Sequence, residues 1–192
     1  RLIRHFCNTI GYDFVRLQKT HIYQGSESGL GRGDGFDAFE KIVPRPIIKF
    51  DIYFRSCARV QIHGQERARF NGALKSEVLT RCLTSLVKSI NFAIKSGVNV
   101  PISLKVVDDN SSPEVTRAIG RIITAVNCPA GIHRLEEMGL SFSLRRTYEL
   151  ARSEAKDVIY IIEDDYLHER ESVLATIQSY GRIASTVSSD II

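Results

Sequence analysis

Hydrophobic residues downstream of residue 46 follow two alternating patterns. Three short runs are almost continuously apolar, as in strands that are buried on both faces: Ile47–Phe54, Ile102–Val107 and Val158–Ile162. Between and after these runs, apolar residues recur every three or four positions, which is typical of helices with one buried face. The alternation predicts an α/β fold, a Rossmann-like, mostly parallel sheet flanked by helices, with the three runs as its central strands.

The clearest helix signal follows the second run. Ser112 is a good N-cap, Pro113 suits the first helical position, and Glu114 complements the positive end of the helix dipole. Apolar residues then recur on one face as far as Val126. Weaker signals predict three other helices, at residues 76–96, 143–152 and 169–180.

Residues 1–46 lack this periodicity. The segment GSESGLGRGDG at residues 25–35 is rich in glycine and serine, and it lacks the Gly-Lys-Ser/Thr sequence of a phosphate-binding loop. We therefore predict that residues 1–46 are an N-terminal extension or linker without an assigned role. Residues 47–192 are predicted to form the folded domain.

Composition narrows the class of protein and of partner. The 192-residue chain is 43% hydrophobic and 25% charged, which is ordinary for a soluble globular protein, and its net charge is +4. The charges are scattered, which argues against nucleic acid as a partner and favours a small anionic ligand. No apolar run approaches the roughly 20 residues that span a bilayer, so we expect no transmembrane segment in this chain.

The four cysteines are widely spaced and form no Cys-x-x-Cys pair: Cys7, Cys57, Cys82 and Cys128. Structural zinc would need closely spaced ligands, so reduced thiols are the simpler interpretation. Reduced thiols predict a cytoplasmic protein, either free or peripherally associated with a membrane.

Acidic residues follow the third apolar run directly. Glu163, Asp164 and Asp165 lie where a parallel strand would present its carboxyl end to a ligand. Three neighbouring carboxylates repel one another when unpaired, and Mg²⁺ or Mn²⁺ would remove that repulsion while leaving positions for phosphate oxygens. The alternative is a solvated acidic loop that binds no metal.

A second acidic pair, Asp108 and Asp109, follows the second run. A carboxylate at this point could accept hydrogen bonds from a nucleobase N–H or a ribose hydroxyl. The alternative is structural, because the same residues could form an Asx-turn and support the helix that begins after Ser112.

These segments resemble family 2-like glycosyltransferases of the GT-A fold, the nucleotide-diphospho-sugar transferase type. The strand–DD-x-S–helix segment of that family is similar to VVDDNSSPEVTRAI, and its strand ending in a DxD-type metal motif is similar to YIIEDDYLHERESVL. Between them, the family's turn and helix resemble GLSFSLRRTYELARSEAKDVIYI. The order and spacing agree, with 56 residues from Asp109 to Asp165, and the similarity covers residues 47–192.

The resemblance implies a role for each acidic residue. Asp165 would be the direct ligand of Mn²⁺ or Mg²⁺. Glu163 and Asp164 would contact the donor sugar or ribose, or hold metal-bound water. Asp109 would contact the nucleobase, with Asp108 close by.

The resemblance also implies that Arg145 or Arg146 binds the diphosphate, for which the alternative is an ordinary exposed helix face. The turn at residues 55–59 keeps only a trace of the family's Thr-x-Asn-Arg-like turn, so its residues receive no role. His168 follows the acidic triplet by three residues, and a polar start to the next helix is a simpler interpretation than metal ligation.

The general base is the part of the family's pattern that has no counterpart in this sequence. The family carries it beyond the metal motif, so we expect the base beyond Ile192. The chain is then expected to be a fragment or a reduced member, a nucleotide-sugar-binding domain with an incomplete acceptor part.

The resulting prediction is a metal-dependent glycosyltransferase, hexosyltransferase-like and inverting by resemblance, that moves a sugar from a UDP- or GDP-sugar to an unknown acceptor. A nucleotidyltransferase is the alternative enzyme, but it would usually carry a glycine-rich loop after the first strand, where only Gly64 occurs. A non-catalytic nucleotide-sugar-binding module is the third interpretation.

Overall fold

The computed structural model describes residues 46–58, 74–136 and 139–187. The chain divides into two compact units, and one of them, Pro46–Tyr180, contains the sheet and the candidate site. The other unit consists of Arg1–Arg45 and Gly181–Ile192, of which only residues 181–187 are described. The predicted extension therefore lies outside the described residues except for Pro46, and the predicted domain limits stay a prediction.

Strands and helices alternate along the described chain. In chain order they are β1 (Phe50–Ser56), α1 (Lys75–Lys95), β2 (Ile102–Asp108), α2 (Pro113–Ile123), β3 (Ala130–Arg134), α3 (Leu140–Glu154), β4 (Val158–Glu163) and α4 (Ser172–Val187). None of the described helices is long and apolar enough to cross a membrane.

The four described strands form one parallel sheet in the order β3-β2-β1-β4. This arrangement confirms the predicted α/β class with a Rossmann-like parallel sheet. Two details of the described sheet were not expected from the sequence. β4 lies at an edge of the described sheet, where Ile159 is 41% exposed, and β3 was not predicted because Ile132 is its only large aliphatic residue.

β1 occupies the centre of the sheet and is buried along its whole length. On one face, Phe50, Ile52 and Phe54 join a core cluster that includes residues of α1, α2 and α4. On the other face, Tyr53 packs with Ala151 of α3. The chain reverses direction across the sheet between β3 and β4, and right-handed crossovers then put α3 opposite α1 and α2.

The helices agree with their sequence predictions to different degrees. α2 confirms its prediction, since Pro113 is its first residue and the Ser112 hydroxyl accepts a hydrogen bond from the backbone N–H of Val115. α1 carries the predicted apolar stripe, and it ends before Gly97, whose φ of +81° favours glycine. α3 begins three residues before its predicted start and α4 three residues after.

Candidate functional site

The candidate site lies at the carboxyl edge of the sheet. Ser56 of β1 pairs in register with Asp108 of β2, and Arg55 pairs with Glu163 of β4. The loops after these three strands therefore begin at one level, on either side of β1. Strand order reverses there, because β2 and β3 extend to one side of β1 and β4 to the other. Such a reversal is where open α/β sheets form a ligand-binding crevice.

Asp109 is held inside this edge. Its side chain accepts hydrogen bonds from the Cys57 thiol, with 3.4 Å between Sγ and Oδ2, and from the backbone N–H of Gly139 at 3.3 Å. Its own N–H donates to the Ser56 carbonyl at 2.9 Å. Gly139 has φ +132°, a conformation that other residues rarely adopt, and α3 begins immediately after it. Asp109 thus joins the β1 and β2 loops to the start of α3.

Asp108 is fully buried and builds the turn after β2. Its carboxylate accepts hydrogen bonds from the Ser56 hydroxyl at 2.9 Å and from the Ser111 N–H at 3.2 Å, and Arg134 Nε lies 3.9 Å away. Asn110 completes the turn with φ +52°, which asparagine tolerates better than most residues. These contacts match the Asx-turn alternative for Asp108, and a nucleobase could reach this side chain only if the turn opened.

The three carboxylates after β4 have three different environments. Asp164 is buried and accepts a 2.7 Å hydrogen bond from the Cys57 N–H, with Lys75 Nζ 3.7 Å away. Glu163 is half-exposed and pairs with Arg55. Asp165 is exposed, and its side chain makes no hydrogen bond or salt bridge with the described part of the chain. Burial raises the pKa of Asp164, an effect that the positive charge of Lys75 opposes.

Arg55 received no role from the sequence, yet it organises this edge. The side chain is 5% exposed, donates from Nη1 to Ser143 Oγ at 3.2 Å, and pairs through Nη2 with Glu163 Oε1 at 2.6 Å. Its Nε is buried without a hydrogen-bond partner among the described residues. Arg55 therefore ties β1 to both β4 and α3. The sequence signal that could have identified Arg55 is a positively charged residue at the end of an otherwise apolar strand.

Cys57 was also missed, and it joins the two acidic clusters. Its N–H donates to Asp164 and its thiol to Asp109. Burial, together with the negative charge of Asp109, raises the pKa of the Cys57 thiol to about 11. The thiol is therefore protonated at neutral pH and acts as a hydrogen-bond donor.

Arg145 and Arg146 lie on the second turn of α3. Arg145 Nε is 2.7 Å from Glu149 Oε1, and Arg146 Nη1 is 2.6 Å from Glu149 Oε2. These ion pairs lower the pKa of Glu149. They are the contacts expected of an exposed helix face, and the diphosphate role of either arginine stays a prediction.

His168 is partly buried away from solvent. Its Nε2 lies 3.3 Å from the Tyr160 hydroxyl, and its backbone N–H donates to Ser85 Oγ at 3.0 Å. Burial lowers its pKa to about 4, so the ring is neutral at physiological pH. Among the described residues, no group of three or more His, Cys, Asp or Glu side chains is arranged to hold a metal ion. These contacts fit the structural interpretation of His168.

A metal that takes one protein carboxylate would nevertheless fit this edge. Mg²⁺ is commonly held by one or two carboxylates, with phosphate oxygens and water completing its coordination. Asp165 presents an exposed carboxylate of this kind, and Glu163 has one carboxylate oxygen beyond the oxygen that pairs with Arg55. Asp164 is committed to Cys57 and Lys75. The donor set therefore fits a cation shared with a ligand, and it does not form an all-protein cage.

No protein-family model matches this sequence, and no curated protein sequence matches it. Among solved structures, TarS of S. aureus, a GT-A-like glycosyltransferase, aligns with 69% of this chain at a TM-score of 0.41 and 15% sequence identity. The matched part covers 20% of TarS, so the chain corresponds to about a fifth of that protein. A likeness this distant transfers no residue role and no substrate to the crevice.

Proposed function

We propose that this chain is the donor-binding part of a metal-dependent glycosyltransferase that uses a nucleoside-diphosphate sugar. The observation that carries the proposal is the meeting of two distant acidic segments at one residue. Asp109 and Asp164 are 55 positions apart, yet both accept hydrogen bonds from Cys57, at the point where strand order reverses. Asp165, the next residue, is exposed at the same edge.

The charge of the edge supports a requirement for a cation. Three of the five carboxylates lie within ion-pair range of a described cation, which leaves a net charge of −2: Asp108, Glu163 and Asp164 are paired with Arg134, Arg55 and Lys75, and Asp109 and Asp165 are not paired. A diphosphate is itself anionic and would be repelled. A bound Mn²⁺ or Mg²⁺ would neutralise the diphosphate both on binding and as a leaving group.

The described residues fix the two sides of the crevice in different ways. On the β2 side, the buried contacts of Asp109 fix the loop against which a nucleobase would lie. On the β4 side, Arg55 orients Glu163 and Cys57 orients Asp164, so the backbone that carries Asp165 is held from two directions. The cation ligand itself keeps an exposed carboxylate, which a metal–diphosphate pair can reach without breaking a buried contact.

Titration calorimetry with uridine diphosphate and guanosine diphosphate, with and without Mn²⁺, tests the proposal. We expect binding only with Mn²⁺, and we expect Asp165→Asn to weaken it about tenfold or more. Glu171→Gln is the matched control, because it removes an exposed carboxylate six residues further along the chain. Binding that ignores both the metal and Asp165→Asn would leave the triplet as a solvated acidic turn and would end the transferase interpretation.

A further inference from the structure

An open groove of about 820 Å³ runs along the exposed face of α1, outside the crevice described above. Four basic side chains line it: Arg81, Lys88 and Lys95 of α1, and Arg170 of the segment before α4. No acidic residue is among its lining residues. Between the charges lie hydroxyl and amide side chains, including Thr84, Ser85 and Asn91, which already donate hydrogen bonds to backbone carbonyls. The cations are therefore the groups that would hold an anion.

The three α1 cations form a straight row. They are spaced seven residues apart, which places them on one side of a helix. With a rise of about 1.5 Å per residue, neighbours are about 10 Å apart and the row is about 21 Å long. α1 begins near the crevice, where Lys75 lies 3.7 Å from Asp164, so the row leads from that edge towards the opposite edge of the sheet.

These cations differ from three of the arginines on the other helices. Arg117 of α2 lies 3.4 Å from Glu114, and Arg145 and Arg146 of α3 share Glu149. Within the described ranges, Arg81, Lys88, Lys95 and Arg170 have no carboxylate within ion-pair distance. Arg170 instead lies over the ring of Phe92, with 4.4 Å from Cζ to the ring centroid. A row of unneutralised positive charges in a polar groove is complementary to an array of anions.

The side chains that line the groove favour one kind of anionic partner over another. Single-stranded nucleic acid binds through a basic groove together with aromatic faces on which bases stack. The lining has two aromatic rings, and both are occupied: Arg170 lies over the face of Phe92, and the His168 ring packs edge-on with Tyr160. Lipid headgroups need only phosphates that reach the cations. We propose that this groove docks the protein on a membrane surface by binding the headgroups of anionic phospholipids.

The proposal has a quantitative consequence, and it does not depend on the donor-binding function of the crevice. Each Lys or Arg close to an anionic bilayer strengthens partitioning by about fivefold. Loss of the three α1 cations should therefore weaken partitioning by about a hundredfold. The attraction should also fall steeply as salt shortens the Debye length.

Co-sedimentation of the full chain with vesicles tests this directly. The vesicles contain phosphatidylglycerol and phosphatidylcholine in equal parts, or phosphatidylcholine alone. We expect binding to the anionic vesicles in low salt, loss of binding in high salt, and no binding to phosphatidylcholine. The triple variant Arg81→Gln, Lys88→Gln, Lys95→Gln should lose binding. Lys88→Gln alone should weaken binding to the anionic vesicles about fivefold, and it is the test variant if the triple variant does not fold.

The matched control carries the same loss of charge elsewhere. The variant Arg117→Gln, Arg121→Gln, Arg152→Gln removes three exposed cations from α2 and α3. It should keep binding within about twofold, because those charges do not share the groove. Equal losses in both triple variants, equal binding to phosphatidylcholine alone, or no binding in low salt would each overturn the proposal. The proposal would also be overturned by a single-stranded oligonucleotide that displaces the protein from the vesicles and whose affinity is lowered by the α1 triple variant but not by the control variant.

Discussion

The two acidic clusters at the carboxyl edge of the sheet differ in the exposure of their last carboxylate. After β2, Asp108 and Asp109 are both buried, and each carboxylate accepts hydrogen bonds from groups of the protein itself. After β4, Glu163 is half-exposed and Asp164 is buried, whereas Asp165 is exposed and its carboxylate has no partner among the described residues. A buried carboxylate with internal partners holds loops together, whereas an exposed one beside it remains available to a cation. Similar sequences at two strand ends therefore have carboxylates in different environments.

The position of each strand explains the difference. β2 is flanked by β1 and β3, and the start of α3 lies against the loop after it, since Gly139 donates to Asp109. β4 has a described neighbour on one side only and leads into a segment without helix or strand before α4. Fewer groups surround the β4 end, so its last carboxylate stays in water.

The largest expected effect separates the two clusters by stability. Asp108→Ala removes the acceptor of the Ser56 hydroxyl and of the Ser111 N–H and leaves both donors buried, which should cost about 3 kcal/mol of unfolding free energy. Asp165→Ala removes an exposed carboxylate and should change it by less than about 0.5 kcal/mol. Urea unfolding measures both. Equal losses would contradict the division into a structural Asp108 and an available Asp165.

The next effect concerns the pair of Arg55 and Glu163. Glu163→Ala leaves a buried guanidinium without its carboxylate and should cost about 2 kcal/mol, discounted because Glu163 is half-exposed. Arg55→Met should cost less, because the released Glu163 can turn into water while methionine fills the buried space. Thermal or urea unfolding of both variants checks this order. The reverse order would mean that Arg55 acts mainly through packing.

The smallest effect is a dependence of stability on pH at Asp164. Its pKa is raised above the ordinary value of 3.8, so between 3.8 and the raised value the folded state holds a proton that the unfolded state has released. Its contribution to stability therefore falls as pH rises through that window. Asp164→Asn keeps an acceptor for the Cys57 N–H and should stabilise the fold at neutral pH by up to about 1 kcal/mol.

Unfolding curves of both proteins from acid to neutral pH give this difference directly. The advantage of Asp164→Asn should grow as pH rises through the window and then level off. An advantage that shrinks with rising pH would show that the Lys75 interaction outweighs burial.

Local signals were sufficient for several elements of the fold. The cap and first turn of α2 depend on neighbouring residues, and Ser112, Pro113 and Glu114 specified them. The three apolar runs all became strands, because strands covered by helices need a continuously apolar sequence. β3 escaped prediction because a short strand beside β2 depends on backbone pairing with a distant segment, and its own sequence has little apolar pattern.

The candidate site was predictable only in outline. The two acidic clusters were found because strand ends in a parallel sheet converge, which is a topological rule. The contacts within the site join residues far apart in sequence: Arg55 with Glu163 across 108 positions and Cys57 with Asp164 across 107. No local pattern distinguishes Asp109, which is buried, from Asp165, which is exposed, because the surrounding strands and helices decide that difference.

The most direct test of the account is whether Mn²⁺ enters the edge at Asp165 together with a diphosphate. Free Mn²⁺ gives a strong electron paramagnetic resonance signal that bound Mn²⁺ largely loses. We expect the signal of free Mn²⁺ to fall when the protein and uridine or guanosine diphosphate are both present, beyond the loss that the diphosphate causes alone. Asp165→Asn should abolish that additional loss, and Glu171→Gln should preserve it. An additional loss that is the same in Asp165→Asn as in the unaltered protein would contradict the central claim.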